Sequence, residues 1–281
     1  MQKLKIYIQY ILPQHLLSYL AGKVASCQIA FVKNLFIKWF IKKYAVDLTQ
    51  AQIQNINEYK NFNAFFTRRL LVNSRPIAQD KNTIISPVDG VISAFGNIQK
   101  NQILQAKGFE YTLENLLVND AFVDKLINGE FITLYLSPKD YHRVHMPITG
   151  QLLKTIYVPG KLFSVNINTT NHIENLYAKN ERVIVFFQTS LGIVVLILVG
   201  AIIVSSINTS WLKKDALRAA KKIKSWDHSN ENIIFAKGAE IGYFELGSTV
   251  IILLEKNNYQ WHENINLAEK VFYGTSISQL R

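Results

Sequence analysis

The chain has 281 residues, a formal net charge of +11 and one cysteine. That length supplies one large or two modest domains, so core size is not limiting. With Cys27 alone no internal disulfide can form, and a reducing or disulfide-independent compartment follows.

Residues 1–75 carry eleven Lys or Arg against two acids, Asp47 and Glu58, and so hold +9 of the net charge. The basic partner surface is therefore N-terminal. Lys3 and Lys5 precede an apolar stretch, Ile6 to Leu12, as in a signal peptide, but Pro13, Gln14 and His15 cut the run short and no clear small-residue cleavage site follows. Between Val24 and Tyr44, Phe31, Leu35, Phe36, Trp39, Phe40 and Ile41 interleave with Asn34, Lys38 and Lys42 at a spacing of four. A broad apolar face opposite lysines reads as a helix lying on an anionic membrane surface, although a helix packed on its own core gives the same stripe. No nucleic-acid reader motif accompanies the charge. Two or three helices fill residues 1–75, with breaks expected near Pro13, Gly22 and the polar stretch Asp47 to Asn57; no glycine intervenes between Gly22 and Gly90.

After Pro76 the pattern changes. Glycines recur at 90, 96, 108, 129, 150 and 160, and short apolar runs between them, such as Phe131 to Leu136 and Gly150 to Val158, read as strands; a short helix is expected around Leu113 to Ile127. No charge occurs between Arg182 and Lys213, and Leu191 to Val204 tempts a transmembrane reading. It falls short of the roughly 18–20 residues a spanning helix needs. It also holds Gly192 and Gly200 and is rich in Val and Ile, which favour strands. A buried hairpin is expected instead: Val183 to Gln188, a turn at Thr189 to Gly192, then Ile193 to Val199. Lys213 to Asn232 reads as a charged helical or looped excursion. Strands resume at Ile233 to Phe235 and Thr249 to Leu254, and the tail from Glu255 looks irregular. The expected class is α+β: N-terminal amphipathic helices (1–75), then a mostly antiparallel β core (76–281).

Gly247-Ser248 places a hydroxyl nucleophile directly after a glycine, where a serine can attack the preceding carbonyl; alone it reads as a turn. A serine needs a base near neutral pH. His142 and His145, in what looks like a turn leading out of a strand, are the candidates. An extended segment would point them to opposite faces, whereas a turn brings them together. Asp89, in the turn-like Pro87-Val88-Asp89-Gly90, is the natural carboxylate to orient a histidine. A metal reading of the two histidines lacks a third ligand. The serine lacks the Gly-x-Ser-x-Gly elbow of many hydrolases, yet residue types alone leave a hydrolase and a self-processing protein both open. A biotinyl- or lipoyl-type carrier hairpin at Pro87 to Ile92 would want a modifiable lysine at its tip, and none stands there.

Phe65 to Arg69, Ser86 to Gly90, Asp140 to Pro147, Gly160 to Asn166, Asn180-Glu181-Arg182 and Leu246 to Thr249 together, falling in the family's order along essentially the whole chain, closely resemble the bacterial phosphatidylserine decarboxylases. The resemblance implies a pyruvoyl enzyme that converts phosphatidylserine to phosphatidylethanolamine through a Schiff base, with no PLP and no metal. It implies that His145, oriented by Asp89, activates Ser248 to cut the Gly247–Ser248 bond autocatalytically. A β chain (1–247) and an α chain (248–281) would form a heterodimer, further dimerisation being left open, and Ser248 would become the pyruvoyl group. His142 is implied as the proton donor in decarboxylation. The expected location is the cytoplasmic face of the cell membrane, as a peripheral protein.

Overall fold

The computed structural model describes residues 2–106, 109–202, 206–213, 216–217, 220–245, 248–256 and 259–280. Helices α1 (Gln2–Ile11), α2 (Gln14–Ala25), α3 (Ala30–Tyr44) and α4 (Phe62–Phe66) precede the first strand. Pro13 separates α1 from α2, as expected of a residue with no backbone N–H to give. The break expected at Gly22 falls instead at residues 26–29, because Gly22 lies on the buried face of α2 and the helix runs through it.

The orientation of α3 corrects the sequence reading. Lys38 and Lys42 lie on the same exposed side as Phe31, Leu35 and Trp39, whereas Lys33, Ile37 and Phe40 face inward. Phe40 is 5% exposed and packs on Phe62, Phe65 and Phe66, so it is core rather than a membrane anchor. Buried Lys33 donates to the Asn34 side chain and the carbonyls of Ile56 and Asn57, which meets the hydrogen-bonding demand of its ammonium.

Helices α1 and α2 dock on the loop 160–164. Gln9 and Gln14 accept from the backbone N–H groups of Ser164 (2.9 Å) and Leu162 (2.7 Å), and Tyr10 lies against Phe163. The Gly160 to Asn166 motif is thus a backbone socket for the N-terminal helices.

The core is one large antiparallel sheet. Its strands run in the order Lys224–Asp227, Gly150–Val158, Arg182–Thr189, Gly192–Val199, Ser248–Leu254, Glu130–Leu136, Gly90–Asn97 and Lys270–Val271, and Ile234–Phe235 also pairs with Gly150–Val158. Central strands are covered on both faces: Ile251 and Leu253 enter one apolar cluster, Val250 and Ile252 the other. Double coverage leaves no polar face to alternate, which is why Val183 to Phe187 and Ile193 to Val199 each read as a continuous apolar run. Together they form the expected hairpin, Thr189 pairing with Gly192.

A smaller sheet of Arg143–His145, Glu240–Glu245 and Ser206–Thr209 lies beside the large one, its Val144, Ile207, Ile241 and Phe244 entering the second cluster. Two expectations need correction. The segment 213–232 contains an edge strand, Lys224–Asp227, and the described part of the tail after Glu255 carries strands Tyr259–Trp261, Lys270–Val271 and Ser278–Leu280. The helix expected over 113–127 is two short helices, Leu113–Leu117 and Val123–Leu126.

Candidate active site

Three neighbouring strands of the large sheet end in one row. Ser248 opens its strand opposite Leu136, and Val91 and Thr249 both pair with Tyr135, so Gly90, Leu136 and Ser248 share a register line. Asp89 thus begins about 10 Å from Ser248 in backbone terms, two strand spacings across. The row is crowded: a Cβ at Gly90 would come 2.7 Å from the Tyr135 carbonyl oxygen, so only glycine fits beside Asp89.

Ser248 is fully buried, and its Oγ has no hydrogen-bond partner among the described residues. The strand before it, Glu240–Glu245, belongs to the small sheet and Ser248 to the large one, so the chain changes sheets between 245 and 248. Gly247, the expected cleavage partner, lies outside the described residues together with Leu246.

The small sheet carries the histidines to this row. His145 N–H donates to the Pro87 carbonyl (2.9 Å), and Phe244 N–H donates to the His142 carbonyl (3.0 Å), tying both to the segments that hold Asp89 and Ser248. Residues 143–145 are a strand rather than part of a turn, and the two rings occupy different surroundings. His142 is wholly buried against Phe66, with ring centroids 4.1 Å apart. Its Nδ1–H donates to the Asp140 carbonyl (2.8 Å), which fixes the tautomer and leaves a bare lone pair on Nε2, itself unpartnered among the described residues. Burial, opposed by that hydrogen bond and abetted by the nearby Arg68 charge, pulls its pKa down to about 3.

His145 stacks on Tyr273 (centroids 3.7 Å apart), and Tyr141 lies to its side (5.7 Å). Its Nδ1–H donates to the Gly238 carbonyl (2.9 Å), and its Nε2 accepts from the Tyr141 hydroxyl (3.0 Å). Burial lowers it to about 4, so this ring too is neutral at pH 7. Gly238 has φ +82, a left-handed conformation suited to glycine, and that turn aims its carbonyl at His145.

Asp89 is 4% exposed and makes a fork with Arg75 (Nη2 to Oδ2 2.6 Å, Nε to Oδ1 3.1 Å) while accepting from the Tyr273 N–H (2.9 Å). Both ring nitrogens of His145 are thus taken by Gly238 and Tyr141, and Asp89 reaches that ring through Tyr273. Sequence reasoning brought together Ser248, His142, His145 and Asp89, and the fold gathers the segments that carry all four. It missed Tyr141, although it quoted the motif containing it, and it missed Arg75, Gly238 and Tyr273. No local signal marks Tyr273, which comes from the tail.

A buried serine whose Oγ has no partner among the described residues, two buried neutral imidazoles and a carboxylate–guanidinium pair are thus carried by neighbouring segments, the kind of groups an enzyme uses to move protons. A family model described as phosphatidylserine decarboxylase matches residues 62–279, and a second, described as PSD, matches residues 4–45. The chain is 43% identical over 279 residues to a phosphatidylserine decarboxylase proenzyme of Pseudomonas fluorescens, covering 98% of this chain and 97% of that one. It is 48% identical over 265 residues to the proenzyme of the same name from Francisella tularensis subsp. novicida, covering 93% of each. The chain belongs to the phosphatidylserine decarboxylase family, and is a carboxy-lyase.

Proposed function

We propose that this chain is a membrane-docked phosphatidylserine decarboxylase that makes its own pyruvoyl group by cutting between Gly247 and Ser248. The Ser248 hydroxyl carries the reading: fully buried, and without a partner among the described residues, in a chain whose relatives are named proenzymes. Leaving a buried hydroxyl unpaired costs about 1–3 kcal/mol, which a structural serine avoids by bonding a nearby carbonyl.

In this reading His145 takes the Ser248 proton once the Tyr141 hydroxyl has turned off Nε2, and Oγ attacks the Gly247 carbonyl carbon, converting amide to ester. Loss of the Cα proton of residue 248 then breaks the Cβ–O bond. Gly247 leaves as a carboxylate, residue 248 becomes dehydroalanine, and water displaces its nitrogen as ammonia. The pieces 1–247 and 248–281 stay together as a heterodimer, because Ser248–Leu254 is an interior strand between Gly192–Val199 and Glu130–Leu136.

Position 248 suits a pyruvoyl group, since the site is buried and nothing among the described residues would lose a hydrogen bond when the hydroxyl goes. Such a group supplies an electron sink for the carbanion left as carbon dioxide departs. His142, neutral and with an open lone pair on Nε2, takes the proton of the incoming serine amine and returns it to the carbon that carried the carboxylate. The open Nε2 also favours a second reading, in which His142 rather than His145 deprotonates Ser248.

Peripheral attachment to the cytoplasmic face of the cell membrane fits the N-terminal surface. Leu16, Leu20 and Val24 on α2, and Phe31, Leu35 and Trp39 on α3, form exposed apolar stripes at a spacing of four, beside Lys38, Lys42 and Lys43. No single helix among the described residues is long and apolar enough to cross a membrane, and α2 and α3 meet at a 115° bend.

Intact-mass measurement tests the reading. The purified protein yields a 248–281 fragment lighter than its sequence by one ammonia, and Ser248→Ala stays whole. An uncut wild type that decarboxylates phosphatidylserine would overturn it.

A further inference from the structure

Beside the site lies a cavity of about 600 Å³, walled by Arg68, Arg75, Lys139, Lys270, Tyr141 and Tyr273 among others. Three of its four cations are accounted for by exposure or pairing: Arg75 is held by Asp89, and Lys139 and Lys270 are partly or fully exposed. Arg68 is different. It follows α4, is 6% exposed, and its Nη2 donates to the Lys139 carbonyl (2.8 Å), yet Nε and Nη1 have no partner among the described residues. The guanidinium lies over the Phe65 ring. Carboxylates nearby do not contact it: Asp89 is committed to Arg75, and Asp140 accepts from the Ser137 backbone and hydroxyl. Burial works against the Arg68 charge.

A buried guanidinium with idle donors is destabilising unless an anion answers it, because the charge has lost its water and not regained its hydrogen bonds. We propose that Arg68 grips the phosphodiester of the lipid headgroup, holding it in this cavity beside Tyr141 and the His142 loop; this rests on the decarboxylase reading above. Arginine is suited to phosphate, presenting several donors on a planar group. The substrate offers two anions, and the chemistry chooses between them. A cation bonded to the carboxylate would stabilise the ground state that loses carbon dioxide and raise the barrier, whereas a bonded phosphate is unchanged by the reaction and serves as a handle. The Lys139 wall begins three residues after Leu136, the residue paired with Ser248, so a headgroup held there lies next to the reacting row.

The test uses the uncut Ser248→Ala chain, so that binding is read without processing or turnover. Dihexanoyl phosphatidylethanolamine, which has the phosphate and no carboxylate, binds this chain by calorimetry. Adding Arg68→Gln weakens the affinity at least tenfold, and Arg68→Lys, which keeps the charge, recovers part of it. In the chain with Arg68 intact, the Arg68 Nε–H resonance shifts on adding the lipid, a readout that needs no substitution there. Equal affinity with Arg68→Gln, an unmoved resonance, or no binding of this lipid at all would overturn the assignment. So would loss of dihexanoyl phosphatidylserine binding with phosphatidylethanolamine binding unchanged, because Arg68 would then hold the carboxylate. Failure here leaves self-cleavage untouched, so the two readings fail separately.

Discussion

Tyr273 lies face to face with His145, ring centroids 3.7 Å apart, and both donate to the same Gly238 carbonyl, Tyr273 through its hydroxyl at 2.8 Å and His145 through Nδ1–H at 2.9 Å. Asp89 holds the backbone of Tyr273, and Arg75 holds Asp89. The chain of contacts from carboxylate to imidazole therefore runs through an aromatic ring. Tyr273→Ala, which removes the stacking face, should slow self-cleavage at least tenfold, while Tyr273→Phe keeps the face and should slow it only a few-fold. Gel time courses after expression at low temperature read both rates; equal rates for the two variants would show that stacking does not position the imidazole.

Tyr141 blocks the lone pair that His145 would use as a base, its hydroxyl 3.0 Å from Nε2. Tyr141→Phe opens that nitrogen without removing the ring. Self-cleavage should proceed at least as fast as in the wild type, at a stability cost of about 1 kcal/mol for the lost hydrogen bond. A block to cleavage would mean instead that the phenol carries the proton between serine and imidazole.

Burial holds His142 at about 3 and His145 at about 4, both below the ordinary histidine range. The unfolded chain takes up protons as the pH drops through about 6.5, while the folded chain does not. Stability from these two neutral rings is thus full above about pH 6.5 and is lost as the pH falls toward 3–4, at roughly 1.4 kcal/mol per pH unit for each ring. Urea midpoints of the Ser248→Ala chain should fall steadily between pH 6.5 and 5, and His142→Asn should make that fall shallower. The self-cleavage rate of the wild type, by the same logic, should show no inflection near pH 6.5.

The parts of this molecule legible in its sequence are those where one element reports its own environment. The Val183 to Val199 hairpin announces itself because its two apolar runs, Val183 to Phe187 and Ile193 to Val199, are buried throughout. Ser248, His142 and His145 stand out through residue type and spacing. The edge strand Lys224–Asp227 does not, because three of its four residues are exposed and no apolar period survives. Tyr273 and Arg75 are silent for another reason: their partners, His145 and Asp89, come from distant segments, and one sequence carries no record of such pairings. The α3 faces show a further limit. Apolar residues on a helix that is buried on one side and exposed as an apolar stripe on the other give no single amphipathic direction, so Phe40 and Trp39 cannot be sorted by pattern.

Lys38, Lys42 and Lys43 lie on the exposed side of α3 among Phe31, Leu35 and Trp39, with Lys43 over the Trp39 ring at 4.5 Å. Each lysine close to an anionic surface contributes about 1 kcal/mol. Replacing all three with Gln should weaken sedimentation with phosphatidylglycerol-containing vesicles by about a hundredfold at low salt, and the difference should shrink as salt is raised. Self-cleavage should be unaffected, since all three side chains are exposed whereas Ser248 is fully buried. Unchanged vesicle binding would move the membrane contact to another face.

The surroundings of His142 and His145 differ enough to separate the two proton transfers proposed for them. His145 is clamped at both nitrogens, whereas His142 is clamped only at Nδ1 and presents Nε2 bare within the buried site. If His145 activates Ser248, His145→Ala stays whole, while His142→Ala is cut normally and decarboxylates at least a hundredfold more slowly. Intact mass gives the first outcome, and carbon dioxide release from dihexanoyl phosphatidylserine gives the second. A whole chain for His142→Ala alone would assign the serine proton to the open Nε2. The clamps on His145 would then serve to hold the small-sheet strand against Pro87 and Tyr273, a positional role that His145→Gln should partly preserve.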